Sequence, residues 1–249
     1  MRQIMVFILF SLMALAPLVY GGFWDSALET VKDVTGSEQA GKAAGPQDSL
    51  TDQDILTGLR EALNLGVQRS VERASAPGGF MENPVIHIPL PGPFQNVAAT
   101  LRGLGLGSQT DAFERTMNHA AERASGEALP ILVQAVKDLS FEDARRLWKS
   151  GGTSATDYFR DKTWQPLSER FRPIVHDTSQ TVGVTQAYQS LVDYPAVKPL
   201  IAGTNLDLDH YVTHKTLDGL FTLLGEEEKK IRTNPAARTT DILKKVFGL

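Results

Sequence analysis

Residues 207–232, DLDHYVTHKTLDGLFTLLGEEEKKIR, carry the pattern that decides the fold class. Tyr211, Leu217, Leu220, Phe221, Leu224 and Ile231 recur at the spacing of one helical face. Asp207 and Asp209 stand at its start, where a carboxylate can cap free N–H groups and suits the positive end of the helix dipole. Near its end, Glu226→Lys230 and Glu228→Arg232 are favourable i,i+4 pairs. Asn234-Pro235 then offers an N-cap followed by proline at a first helical position. A last helix is expected to run to Phe247, with Lys244 and Lys245 in its final turn and Gly248 as a stop.

The same signature repeats upstream. Thr51-Asp52-Gln53-Asp54 resembles a capping box, and Ile55, Leu59, Ala62, Leu63, Gly66 and Val71 place a helix from there to about Ala74. Helical spacing returns over Phe94–Leu106 and over Ser108–Leu139, with a break expected at Pro130. Ser140-Phe141-Glu142-Asp143 and Ser154-Ala155-Thr156-Asp157 each restart a helix. Residues 76–93 differ. Pro77, Pro84, Pro89, Pro91 and Pro93 exclude a helix, and such stretches lie extended near polyproline II. Val85-Ile86-His87-Ile88 has no partner strand elsewhere. The expectation is all-α, an irregular multi-helix bundle with a proline-rich extended arm.

The N-terminus reads differently again. Arg2, the apolar run Ile4–Ala16, Pro17 and the Gly21-Gly22 pair make residues 1–22 a signal peptide, cut near Gly21 or Gly22. Residues 23–50 are a short amphipathic helix (Phe23–Val34) and a flexible linker, and 51–249 the helical domain. The chain is thus expected to be exported to the periplasm, with no stable transmembrane segment after cleavage. The 249 residues lack Cys, which excludes disulfides, thiolate chemistry, Cys-based metal centres and lipid attachment at an N-terminal Cys. Loss of residues 1–22 removes one charge, Arg2, and leaves 24 basic against 29 acidic residues. That balance gives no dense positive field for nucleic acid.

Candidate chemistry is sparse. His210 and His214 are four apart on a helix, the spacing that can aim two imidazoles at one metal. No Glu follows His210, so a protease-type zinc motif is absent. Asn205–Asp209 alternates carboxylates like a calcium loop but lacks its glycine turn and closing carboxylate. Gly103–Gly107 has alternating glycines without the spacing of a phosphate loop, and no GxSxG elbow occurs. Asp218 and Glu227 on one helix, and Arg160, Arg170 and Arg172 on another, could form a paired network or line a pocket for an anion.

Several strings resemble a known family. They include Asn83–Pro91 (NPVIHIPLP), Met117–Glu122 (MNHAAE), Asp157–Thr163 (DYFRDKT), Phe171–Val175 (FRPIV) and Tyr211–Phe221 (YVTHKTLDGLF). They continue through Glu226–Arg232 (EEEKKIR) and Asn234–Gly248 (NPAARTTDILKKVFG). Together they resemble the domain of unknown function 4197 family over roughly residues 50–248. The resemblance implies an exported bacterial protein with a helical domain and brings no established activity, catalytic residue or cofactor. His210, His214 and His119 depart from the family pattern.

Three functions are therefore carried forward. The first is a non-enzymatic periplasmic module that binds a partner protein or envelope component through the Asn83–Pro93 arm and the charged segment Glu226–Lys245. The second is a helical carrier of a small apolar or anionic ligand. The third is an envelope enzyme with charged groups converging in a cleft. Candidate contacts are Asn83, Arg160, Arg172, Asp218, Glu227 and Arg238. No cofactor is expected.

Overall fold

Hydroxyl and carboxylate caps start the helices where the sequence places them. The computed structural model describes residues 50–248 except 106, 182, 196 and 200–205. The signal peptide, the Phe23–Val34 helix and the linker lie outside the described residues. α1 spans Asp52–Ser75: Thr51 Oγ1 accepts from the Asp54 amide at 3.1 Å, and the Asp54 carboxylate accepts from the Thr51 amide at 2.9 Å. α2 spans Gly92–Gly103, α3 Gly107–Ser125 and α4 Ala128–Lys137. The break thus falls at residues 126–127, and Pro130 sits in the first turn of α4, where its missing N–H costs nothing. α5, Phe141–Ser150, is capped by Ser140, whose Oγ accepts from the Asp143 amide. α6, Ser154–Thr181, continues through Pro166 and Pro173. α7 is Val184–Val192, a helix the sequence reading leaves out. α8 is Leu208–Thr233, capped by Asp207 as expected.

The final helix is shorter than the sequence suggests. Asn234 caps only a 3₁₀ turn, Pro235–Ala237, and α9 begins anew at Asp241 with Thr240 as its N-cap. Arg238 explains the interruption. Its guanidinium donates to the carbonyls of Ile231 and Arg232 at 3.0 and 2.8 Å, folding the chain back onto the end of α8. The orphan carbonyls of a helix terminus thereby gain a cationic partner.

α8 is the spine of an all-α bundle, packing against α1, α3 and α6. No strand occurs among the described residues. Phe80, Phe94, Phe113, Phe159 and Phe171 are fully buried. Phe94 and Phe113 meet edge-on at 5.8 Å, and Tyr188 of α7 closes an aromatic triad against both. No helix of the described residues is long and apolar enough to cross a membrane.

The proline-rich segment is not one extended arm. Residues 77–82 and 84–86 form turns, and 87–91 lie free of them. The reason is burial. Phe80, Ile86, Ile88 and Leu90 all enter the core, which a straight polyproline path could not achieve. Asn83 organises the reversal: its Oδ1 accepts from the Val85 amide, and its carbonyl accepts from Ile86 and His87. From α3, Asn118 latches the segment. It accepts from the Ile88 amide and donates to the Ile88 carbonyl, each at 2.8 Å. Glu122, one turn on, accepts from the amides of Phe80 and Met81. Beneath lies Gly219 of α8, where an added Cβ would stand 2.7 Å from the Phe80 ring.

Two substitutions test this packing. Asn118→Ala leaves a buried amide and carbonyl unpaired and should cost about 2–4 kcal/mol, read by urea unfolding. Gly219→Ala should also destabilise. The helix-propensity gain of about 1 kcal/mol is outweighed by forcing the buried Phe80 ring aside, an overpacking cost of roughly 1–3 kcal/mol. A more stable Gly219→Ala protein would contradict the close approach of segment and helix.

Candidate functional site

Buried charge is the first place to look for chemistry, because an unpaired buried charge is costly. Glu227 and Glu228, adjacent on α8, are both buried. Glu228 faces the first turn of α6. It accepts from the amides of Ala155 and Thr156 and from Thr156 Oγ1, the last two at 2.8 Å. Arg232, one turn along α8, donates to Glu228 at 2.9 Å and to the carbonyls of Leu147 and Trp148 in the last turn of α5. The anion thus sits at the positive end of one helix and the cation at the negative end of another. Glu227 takes Lys230 at 2.6 Å, with Arg73 and Arg69 of α1 at 3.4 and 3.6 Å. Lys230 therefore pairs at i−3, while Glu226 turns to Arg73. These groups join helices, and the one cavity that Glu228 and Arg232 border, between α1 and α8, is only water-sized. Of the sequence candidates, Glu227, Arg238 and Asn83 are accounted for in this way.

The remaining candidates lie along the α6–α8 crossing. Arg160 meets Asp218 at 2.5 Å, and Arg172 meets Asp207 at 3.2 Å. Both pairs are about half-exposed and worth little in stability. His176 with Asp209 at 2.7 Å completes the row. Arg160 also lies over the Trp164 ring, 4.8 Å from its centre. Trp164 packs edge-on against His214 at 5.2 Å, and the His214 ring lies 4.1 Å from that of His210. Burial, the neighbouring His210 and Arg160 hold His214 below the usual histidine range, although Asp218 pulls the other way. Arg160 and Asp218 do converge, but on an open surface. Arg172 and Glu227 are not part of that cluster. No group of three or more His, Cys, Asp or Glu among the described residues can hold a metal ion.

The opposite face of α6 carries a feature the sequence reading missed. An open groove of about 710 Å³ runs between α4 and α6. Pro130, Ile131 and Ala135 form its α4 wall with Gln134 and Asp138, and Tyr158, Lys162, Thr163, Pro166 and Arg170 its α6 wall. The spacing 158, 162, 166, 170 is one helical face. Within Asp157–Thr163, Tyr158 and Lys162 therefore point into the groove, Phe159 into the core and Arg160 toward α8. Most polar groups here already have partners. Tyr158 donates to Asp143, Gln134 to Asp138 and Arg170 to Glu127. The Asp143 charge, second to burial, also raises the Tyr158 pKa. Lys162 forms no ion pair among the described residues and lies over the Tyr158 ring at 5.7 Å. Pro166, lacking an N–H, also leaves the Lys162 carbonyl without its helical donor. The other cavity described, between α1 and α8, measures about 10 Å³, room for a single water.

A family model described as "Protein of unknown function (DUF4197)" matches residues 49–248. No curated protein and no solved structure matches the chain.

The state of His214 has a measurable consequence. A histidine whose proton is disfavoured in the fold removes stability as pH falls through its unfolded value of 6.5, and leaves stability intact above it. Between about pH 7.5 and 5.5, the native chain should lose more stability than a His214→Phe variant. The difference should stay under about 1 kcal/mol, because the ring is only partly buried and solvent screens its charge. Parallel urea midpoints for the two chains would indict this account of the site.

Proposed function

The chain belongs to the family of proteins of unknown function DUF4197, and from that premise we propose that it is an exported, non-enzymatic binding module. Its α4–α6 groove takes an acidic, amphipathic segment of a partner protein. The carrying observation is the unpaired Lys162 beside an apolar wall, in a groove of peptide size. A helix or extended segment laid between two helices buries one apolar face and keeps the other wet. A carboxylate on that segment would pair with the exposed Lys162, and such a pair gives orientation more than affinity.

This reading moves the binding surface away from the two segments first favoured. In the Asn83–Pro93 stretch Ile86, Ile88 and Leu90 are buried and Val85 alone of the large apolar side chains is exposed, while Glu227, Glu228, Lys230, Arg232 and Arg238 are committed to joining helices. A small-molecule carrier is less well supported. Pockets for such ligands bury most of the ligand's surface, whereas this groove is open and the α1–α8 cavity is water-sized.

A photo-crosslinking residue placed at Gln134, with a second chain labelled at Thr222 on the far surface, tests the proposal in the native envelope. A discrete adduct of polypeptide mass should form at Gln134 and not at Thr222. Lys162→Glu should weaken it by about tenfold, the scale of 1.4 kcal/mol for a charge reversed in an interface. Equal labelling at both positions, or an adduct indifferent to Lys162→Glu, would remove the groove from consideration.

A further inference from the structure

The His210–His214 pair lies on the side of α6 away from the groove and has no role in the binding reading. Both residues sit on α8, four apart, so their side chains rise from one helical face. Their rings are 4.1 Å apart, centre to centre, and tilted 35° to one another. That stacking uses neither ring for a hydrogen bond to a carboxylate, in contrast to His176 with Asp209 and His87 with Glu114. His214 is steadied by the edge of Trp164, itself stacked on the buried Phe221 at 6.1 Å. His210 is exposed and can turn its ring. One ligand is thus held in place and the other can adjust.

We propose that His210 and His214 chelate a divalent transition-metal cation of the copper, nickel or zinc class, through one imidazole nitrogen each, with water completing the coordination. Imidazole suits these borderline-soft ions, whereas a calcium or magnesium site needs a shell of oxygens that this surface does not supply. The charged side chains acting on His214 are Asp218 and Arg160, and Asp207 and Asp209 stand just before His210 at the start of α8. Asp218 and Arg160 neutralise one another at 2.5 Å, so from them the cation meets neither a strong repulsion nor a third anionic ligand. Both imidazoles must be neutral to bind, and the environment of His214 favours that form near neutral pH. The site is open and two-coordinate from the protein, which fits capture of an available ion rather than a closed structural centre.

The full-length chain, purified without a histidine tag, is titrated calorimetrically with Cu²⁺, Ni²⁺ and Zn²⁺ alone, and tryptophan fluorescence is followed in parallel. One saturable site is expected, with Cu²⁺ tightest. Bound Cu²⁺ should quench Trp164, so Trp164→Phe should lose much of the quench while keeping the calorimetric site. His210→Ala and His214→Gln should each weaken binding roughly tenfold or more, the scale on which single contacts act at metal sites. His176→Ala, at the neighbouring ion pair, should leave it unchanged. Acidification through the imidazole range, near pH 6.5, should release the ion. The chelate is overturned if both α8 variants bind as well as the native chain, if only one of the two matters, or if His176→Ala abolishes the site.

Discussion

The Glu228–Arg232 pair is the joint on which the bundle closes. Two helix ends meet the flank of α8 there: the start of α6 and the end of α5. Each end carries unsatisfied backbone groups that would be expensive to bury alone. One carboxylate answers the amides of α6, and one guanidinium answers the carbonyls of α5. The two side chains also answer each other across one turn of α8. Buried ion pairs seldom add much net stability against an apolar alternative. Here an apolar alternative is not open, because the backbone groups would remain unpaired. The pair thus fixes how α5, α6 and α8 converge more than it adds binding energy between them. Arg232 also lies over the Phe247 ring at 5.7 Å, so the same side chain seats α9.

The strings that mark the family fall on such joints. Glu226–Arg232 supplies the α5–α6–α8 corner and the Glu227 contacts to α1. Asn234–Gly248 returns the chain through Arg238 and docks α9 on α1, where a Cβ at Gly58 would stand 2.6 Å from Val246. Met117–Glu122 and Asn83–Pro91 hold each other through Asn118 and Ile88, Glu122 holds Phe80 and Met81 just before that string, and Gly219 of the Tyr211–Phe221 string lies beneath. A string that closes two elements together needs its partner string to have matching shape and polarity. That is a sufficient physical reason for these motifs to be long, and it requires no catalysis.

The helices were legible because each has local signals: caps at Thr51, Ser140 and Asp207, and apolar residues at helical spacing in between. What escaped was set by tertiary partners. Pro235 reads as the opening of a helix, yet Arg238 folds the chain back after one turn, and that contact is invisible without α8. Residues 76–93 read as extended because proline excludes a helix, but burial of Phe80, Ile86 and Ile88 imposes turns. Asn118 and Glu122 sit mid-helix and look like ordinary surface polar residues. Only their contacts with the 80–88 segment reveal why they are buried. Arg160–Asp218 was foreseeable as a pairing of two helices, whereas the α4–α6 groove was not. Its walls come from Pro130–Asp138 and Tyr158–Arg170, and nothing in either stretch announces the other.

Most charged side chains in the interior are spent on architecture, and that narrows where function can lie. A group already holding a helix end cannot be withdrawn for a ligand without reopening the joint, at a cost of several kcal/mol for a buried pair. Glu122, Glu227, Glu228, Arg232 and Arg238 are committed in this sense. Surface pairs such as Arg172–Asp207 are exchangeable, but solvent screens them too strongly to orient a substrate. What remains are groups not committed to a helix joint: Lys162, exposed over the Tyr158 ring, and the imidazoles of His210 and His214 beside Trp164. They lie on opposite faces of α6. Each set is suited to holding something, a carboxylate in one case and a cation in the other.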